Sequence, residues 1–231
     1  MNAVEVQILF SFIFRLTSLF IISLLTIRGY RFYRRGALRT EAALFLLDLQ
    51  GLNLAFIVCG VFLITLKLLG LAIPPIIHQE TIAVYYFLVI FSVVSGLGFI
   101  SRVFSIRPHE LIFRTLYLLA GFLIGMLVIS LFSEHNWIEA SNPPLIIIYP
   151  IGGYLLLSSV VTMVSAWPSM RKQESSLLRT SVMFYAYGAL ALTSGSLIVI
   201  VLFFMGYNMY RYPIIGNIIY AAQLTETVFV S

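Results

Sequence analysis

Apolar residues along this chain gather in runs of about twenty, separated by short polar or basic stretches. They do not alternate with polar residues at a strand period. A helix rises about 1.5 Å per residue, so runs of this length match the thickness of a bilayer's hydrocarbon core. Seven segments read as spans: 7–27, 52–73, 81–104, 111–132, 145–167, 181–207 and, less completely, 213–231. None has the period-2 pattern of a membrane barrel strand. The expected fold is an all-α, polytopic transmembrane helical bundle of six or seven helices, forming a single domain over 1–231. The first run is expected to remain as a helix, because Met1–Gln7 has no Lys or Arg and no small-residue cleavage site precedes the basic stretch.

Two segments leave the pattern open. Ala37–Gln50 is apolar enough either to extend the second helix or to lie along the membrane interface as an amphipathic piece. At the other end, Ser231 follows Val-Phe-Val with no basic stretch to stop transfer. That ending reads as the membrane part of a longer protein.

Composition narrows the class. Of 231 residues, 61% are hydrophobic and 10% charged, with a mean hydropathy of +1.02. Soluble domains average about 45–50% apolar and about 25% charged residues. This chain has too little polar surface to coat a water-soluble globule. Its one cysteine, Cys59, excludes an intramolecular disulfide.

The charges are unevenly placed. Arg28, Arg31, Arg34, Arg35 and Arg39 follow the first run, Arg102, Arg107 and Arg114 flank the third-to-fourth connection, and Arg171, Lys172 and Arg179 follow the fifth. Eleven of the fourteen basic residues thus fall on one side of the expected membrane. The positive-inside rule puts that side in the cytoplasm, with the N-terminus outside and the C-terminus inside. The net charge of +5 is then explained by topology and anionic lipid heads rather than by nucleic acid. A bacterial or archaeal cytoplasmic membrane fits this distribution.

Ionisable groups inside an apolar span are costly and are functional candidates for that reason. Arg15, Asp48 and Glu226 are the three here. Their depths allow an Arg15–Glu226 or Arg15–Asp48 pair within the bundle. The structural alternative is that Arg15 snorkels outward, Asp48 sits at the interface and Glu226 lies at a frayed end. Lys67 reads as snorkelling to head groups. The last run has no lysine, which disfavours a retinal protein. His78, His109 and His135 fall in loops and do not form a haem or di-metal pattern. No metal or other cofactor is expected. No hydrolase, zinc-protease or nucleotide motif is present, and no catalytic residue is assigned.

Small residues suggest close helix contacts. Gly121 and Gly125 form a GxxxG pattern, Ser95, Gly96 and Gly98 a small patch, and Ala191 and Gly195 a further pair. They serve either packing within the bundle or self-association. Pro150, Gly152 and Gly153 mark an expected kink or hinge in the fifth helix. Tyrosines such as Tyr85, Tyr86, Tyr149 and Tyr154 gather toward the outer ends as an aromatic belt.

The end of the chain resembles a known family. Leu178-Arg179-Thr-Ser-Val-Met-Phe-Tyr-Ala, then Gly195 with an apolar run to Gly206, then Gln223-Leu-Thr-Glu226-Thr-Val-Phe-Val-Ser231, is similar to the sixth and seventh helices of bacterial seven-transmembrane sensor modules. These are the membrane inputs of histidine kinases and diguanylate cyclases. The resemblance implies a sensory module whose last helix leads to a cytoplasmic output domain or partner. The family's large external domain has no counterpart here.

The expected function is a membrane sensor or signal relay, with Arg15, Asp48 and Glu226 as polar switch residues. The first alternative is a non-catalytic accessory subunit packed against other membrane proteins. The second is a small-molecule transporter.

Overall fold

The computed structural model describes residues 3–36, 39–72, 74–103, 110–132 and 145–172, with isolated positions between 180 and 225. The described residues are helical or in turns, with no strand among them. In chain order the elements are α1 (Ala3–Arg35), α2 (Arg39–Ala55), a π-helical segment (Phe56–Phe62), α3 (Leu63–Leu68), α4 (Pro75–Val103), α5 (Glu110–Phe132) and α6 (Leu145–Lys172).

Among the described residues, four helices are long and apolar enough to cross a membrane: Ile8–Arg35, Arg39–Leu68, Glu80–Arg102 and Glu110–Phe132. Within α6, the apolar helix Tyr149–Ser165 is shorter. Positions in the last two expected runs are described only singly, so a count of six or seven spans lies outside the described residues.

Element boundaries differ from the sequence expectation at several places: α4 starts at Pro75 rather than 81, α6 runs past 167 to Lys172 and so takes in Arg171 and Lys172, and two further differences concern α1 and α2. The bases Arg28, Arg31, Arg34 and Arg35 were expected in a loop but belong to the last turns of α1. Long, exposed side chains let them solvate without breaking the helix, and cations there oppose the negative end of the helix dipole. Ala37–Gln50 does not lie apart as an interfacial piece from Arg39 onward. The helix runs unbroken from Arg39 to Leu68, because nothing between the two is a strong breaker and its apolar residues find partners on both sides. Asp48 therefore stands inside a helix rather than at its end.

The turns are set by glycine and proline. Gly36 and Gly70 have φ of 74° and 68°, the left-handed region that suits glycine after a helix. At the second, the amide of Gly70 donates to the Lys67 carbonyl and that of Leu71 to the Leu66 carbonyl, each at 3.1 Å. This pair of bonds caps α3. Pro75 opens α4, where its missing N–H removes no helical bond.

α2 lies between α1 and α4, with its closest packing against α4. α5 and α6 extend the bundle from α4. The core is one connected cluster that includes Ile22, Phe56, Ile90, Leu97, Leu116, Leu123 and Tyr154. The outer surface is equally apolar: Phe20, Leu111, Leu118, Phe122 and Phe132 are 64–85% exposed, with Phe20 at 65% and Phe132 at 85%. Only 22% of the most apolar window of α1 is buried, and 28% of that of α5. A helix in water would turn such a face inward. This arrangement is compatible with an integral membrane protein.

Candidate functional site

The buried residues include many polar ones. Ser11, Arg15 and Ser18 recur at helical spacing on one face of α1, and each is at most 8% exposed. Asn53 on α2, Thr81, Ser92 and Ser95 on α4, and Ser158, Ser159, Thr162 and Ser165 on α6 are buried as well. Most of the hydroxyls with a recorded bond return it to their own helix. Ser18 donates to the Phe14 carbonyl, Thr81 to Ile77, Ser130 to Leu127, and Ser158 and Ser159 both to Leu155. Such residues are satisfied locally and permit close packing.

Side-chain hydrogen bonds among the described residues also cross between elements. On α2, the Asn53 amide donates to Thr26 Oγ1 at 2.9 Å, and Ser23 donates to Asn53 Oδ1 at 3.4 Å. Thr26 in turn donates to the Ile22 carbonyl at 2.8 Å. Another contact joins α2 to α4, where Ser92 donates its hydroxyl hydrogen to Asp48 Oδ1. A Cβ built on Gly96 would lie 3.3 Å from Asp48 Oδ2, so glycine is what admits the carboxyl here. A further bond joins the C-terminal part of the chain to its beginning: buried Asn217 donates from Nδ2 to Ser11 Oγ at 2.9 Å.

Arg15 is 8% exposed and does not snorkel to the surface. Its stem lies on the π-helical segment, with Cδ 3.3 Å from where a Gly60 Cβ would be. Wide π-helical turns are often found at functional sites. Gly60 follows Asp48 by twelve positions, about 18 Å along a helix axis. Arg15 and Asp48 thus occupy different levels, and the structure does not bring them together. Glu226 lies outside the described residues, as do His109 and His135.

The other expectations divide. Gly96 and Gly98 of the small patch do face α2, against Asp48 and Leu44. Gly51 joins them, since a Cβ there would meet Ser92 Cβ at 3.2 Å and the Leu88 carbonyl at 3.3 Å. For Gly121 and Gly125, nothing among the described residues comes within 4 Å. The buried face of α5 is instead Phe113, Leu116, Ala120, Leu123, Leu127 and Ser130. Gly195 is buried and Ala191 half-buried. At the expected hinge, Pro150 stands inside a continuous α6, and Gly152 and Gly153 have no described neighbour within 4 Å. Lys67 is exposed in the last turn of α3.

A search of the sequence for charged groups misses Asn53, Ser92, Asn217 and the two packing glycines, Gly51 and Gly60. An amide inside an apolar run was the available signal for Asn53 and Asn217. Nothing in the sequence marks which serines cross between helices. Among the described residues, no group of three His, Cys, Asp or Glu could hold a metal ion. Neither a family model, a curated protein nor a solved structure matches this chain.

Proposed function

We propose that the chain is a multi-pass membrane module that relays a signal, with six or seven spans, its N-terminus outside and its C-terminus in the cytoplasm. The observation that carries this reading is the buried Asn217–Ser11 bond between residues 206 apart in sequence. It ties the C-terminal part of the chain to the α1 face that also holds Arg15 and, farther along α1, the Asn53 link to α2. A change in α1 packing is thereby passed to the part of the chain that carries Asn217. Asp48 on the far side of α2 and Arg15 on the π-helical segment supply polar contacts that two packings can satisfy differently, as any relay requires. The sensor resemblance of the last two expected helices points the same way.

The test is a cysteine pair. With Cys59 replaced by Ser, Ser11→Cys and Asn217→Cys place one thiol on each side of a 2.9 Å contact, to be joined by a short bifunctional thiol reagent. A relay predicts that the crosslinking rate differs severalfold between short-chain and long-chain phospholipid bilayers or across external pH. An unchanged rate under all of these conditions would count against it.

A second reading, the accessory subunit, is favoured by α5. Leu118 and Phe122 are 76% and 64% exposed beside the open Gly121. A partner helix could approach there. Co-purification of a membrane subunit in mild detergent, with invariant crosslinking, would favour it over the relay.

A further inference from the structure

A cleft of about 470 Å³ lies toward the C-terminal end of α6, lined by none of the residues of the inter-element hydrogen bonds above. Met163 and Trp167, one turn apart on α6, belong to one wall. Met183, Tyr187 and Leu190 belong to the other and recur at the i, i+4, i+7 spacing of a helix face. All three of those positions are helical. The volume falls within the range of about 300–1,000 Å³ typical of small-molecule sites. Trp167 and Tyr187 remain 52% and 51% exposed, so the cleft is open along one side.

The neighbouring sequence says which apolar molecule suits it. The next turn of α6 carries Arg171 and Lys172, about 6 Å farther along the axis than Trp167. Trp and Tyr favour the depth at which acyl chains meet head groups. Adjacent basic residues at that depth favour anionic phosphate. Methionine is unbranched and flexible, which fits a wall to a chain of variable shape.

We propose that this cleft holds one acyl chain of an anionic phospholipid, with the headgroup phosphate at the level of the α6 turn that carries Arg171 and Lys172. The site rests on the reading that the chain spans a membrane. It adds a bound lipid that neither the relay nor the subunit reading requires. Its place at the junction of α6 with the following part of the chain means that lipid occupancy sets how those two pack.

The full chain is reconstituted with equal phosphatidylglycerol and phosphatidylcholine, extracted in neutral detergent and weighed by native mass spectrometry. One phosphatidylglycerol is retained in preference to phosphatidylcholine, by about thirtyfold, the order expected of two basic residues at a lipid surface. Val164→Trp, which fills the cleft from α6, abolishes retention. Leu190→Trp does the same from the other wall and guards against one variant failing to fold. The double change Arg171→Gln, Lys172→Gln keeps a bound lipid but loses the preference. The proposal is overturned if wild type retains no lipid, if it shows no anionic preference, or if retention survives both Trp variants. A dimer mass that the Trp variants abolish, with no lipid bound, would assign the cleft to a second copy instead. Carbonate extraction separates the two layers of the argument: release from the membrane overturns the membrane reading, whereas a chain that stays but binds no lipid overturns only the lipid site.

Discussion

Gly51 and Gly60 stand on the same helical run, yet they face neighbours of opposite stiffness. At Gly51 an added Cβ meets a backbone carbonyl at 3.3 Å and Ser92 Cβ at 3.2 Å. Neither can move without shifting α4. Gly51→Ala is therefore expected to destabilise the fold by about 1–3 kcal/mol, the usual range for overpacking, as read by thermal unfolding in detergent. At Gly60 the nearest atom is Arg15 Cδ, part of a flexible stem, so Gly60→Ala should cost less than about 1 kcal/mol. Asp48 offers a similar contrast. Asp48→Asn keeps an acceptor oxygen for Ser92 and nearly the same shape, and should unfold at close to the wild-type temperature. Asp48→Leu removes the acceptor and presses a branched side chain on Gly96, with an expected loss of about 2–4 kcal/mol from the two effects together. The charge of Asp48 was legible in the sequence. Its partner was not, because Ser92 is one of several hydroxyls on α4 and only the rotation of that helix selects it.

For the elements, composition located the apolar runs more closely than it located the helix ends. α5 agrees with expectation to within a residue, since Glu110 opens it and the apolar run ends at Phe132. α1, α2, α4 and α6 all outrun expectation; in α1 and α2 arginine and alanine, good helix formers, continue the helix past the edge of the apolar run. Which face of a helix turns inward was less legible, since α5 is apolar all round. The GxxxG pair Gly121 and Gly125 suggested the packing face, yet the buried residues lie on another side. Gly121→Leu with Gly125→Leu is accordingly expected to change monomer stability by less than about 0.5 kcal/mol, as for a surface site. Gly96→Leu, set against Asp48, should lower it far more. If the double variant also shifts the oligomeric state in size-exclusion chromatography, the open face of α5 is where copies or partners meet.

At the scale of the whole molecule, the proposed topology makes a direct prediction. In a chain lacking Cys59, a cysteine at Arg31 should resist a membrane-impermeant thiol reagent applied to intact cells, and one at Ser133 should react; the reverse pattern would invert the orientation. What the sequence by itself determined is the class: all-helical, with apolar runs of spanning length, because the transfer free energy of twenty apolar residues is a sum over composition and needs no knowledge of neighbours. It also singled out Arg15 and Asp48, since a charge in an apolar run is visible one residue at a time. Only the tertiary structure decided that these two stand at different levels, that Arg15 lies on a π-helical segment at Gly60, and that Asn217 reaches Ser11 from the far end of the chain. Those facts depend on helix rotation and register between elements distant in sequence. Small contacts between side chains set both, and when both faces of a helix are apolar the hydrophobic pattern no longer distinguishes one rotation from another.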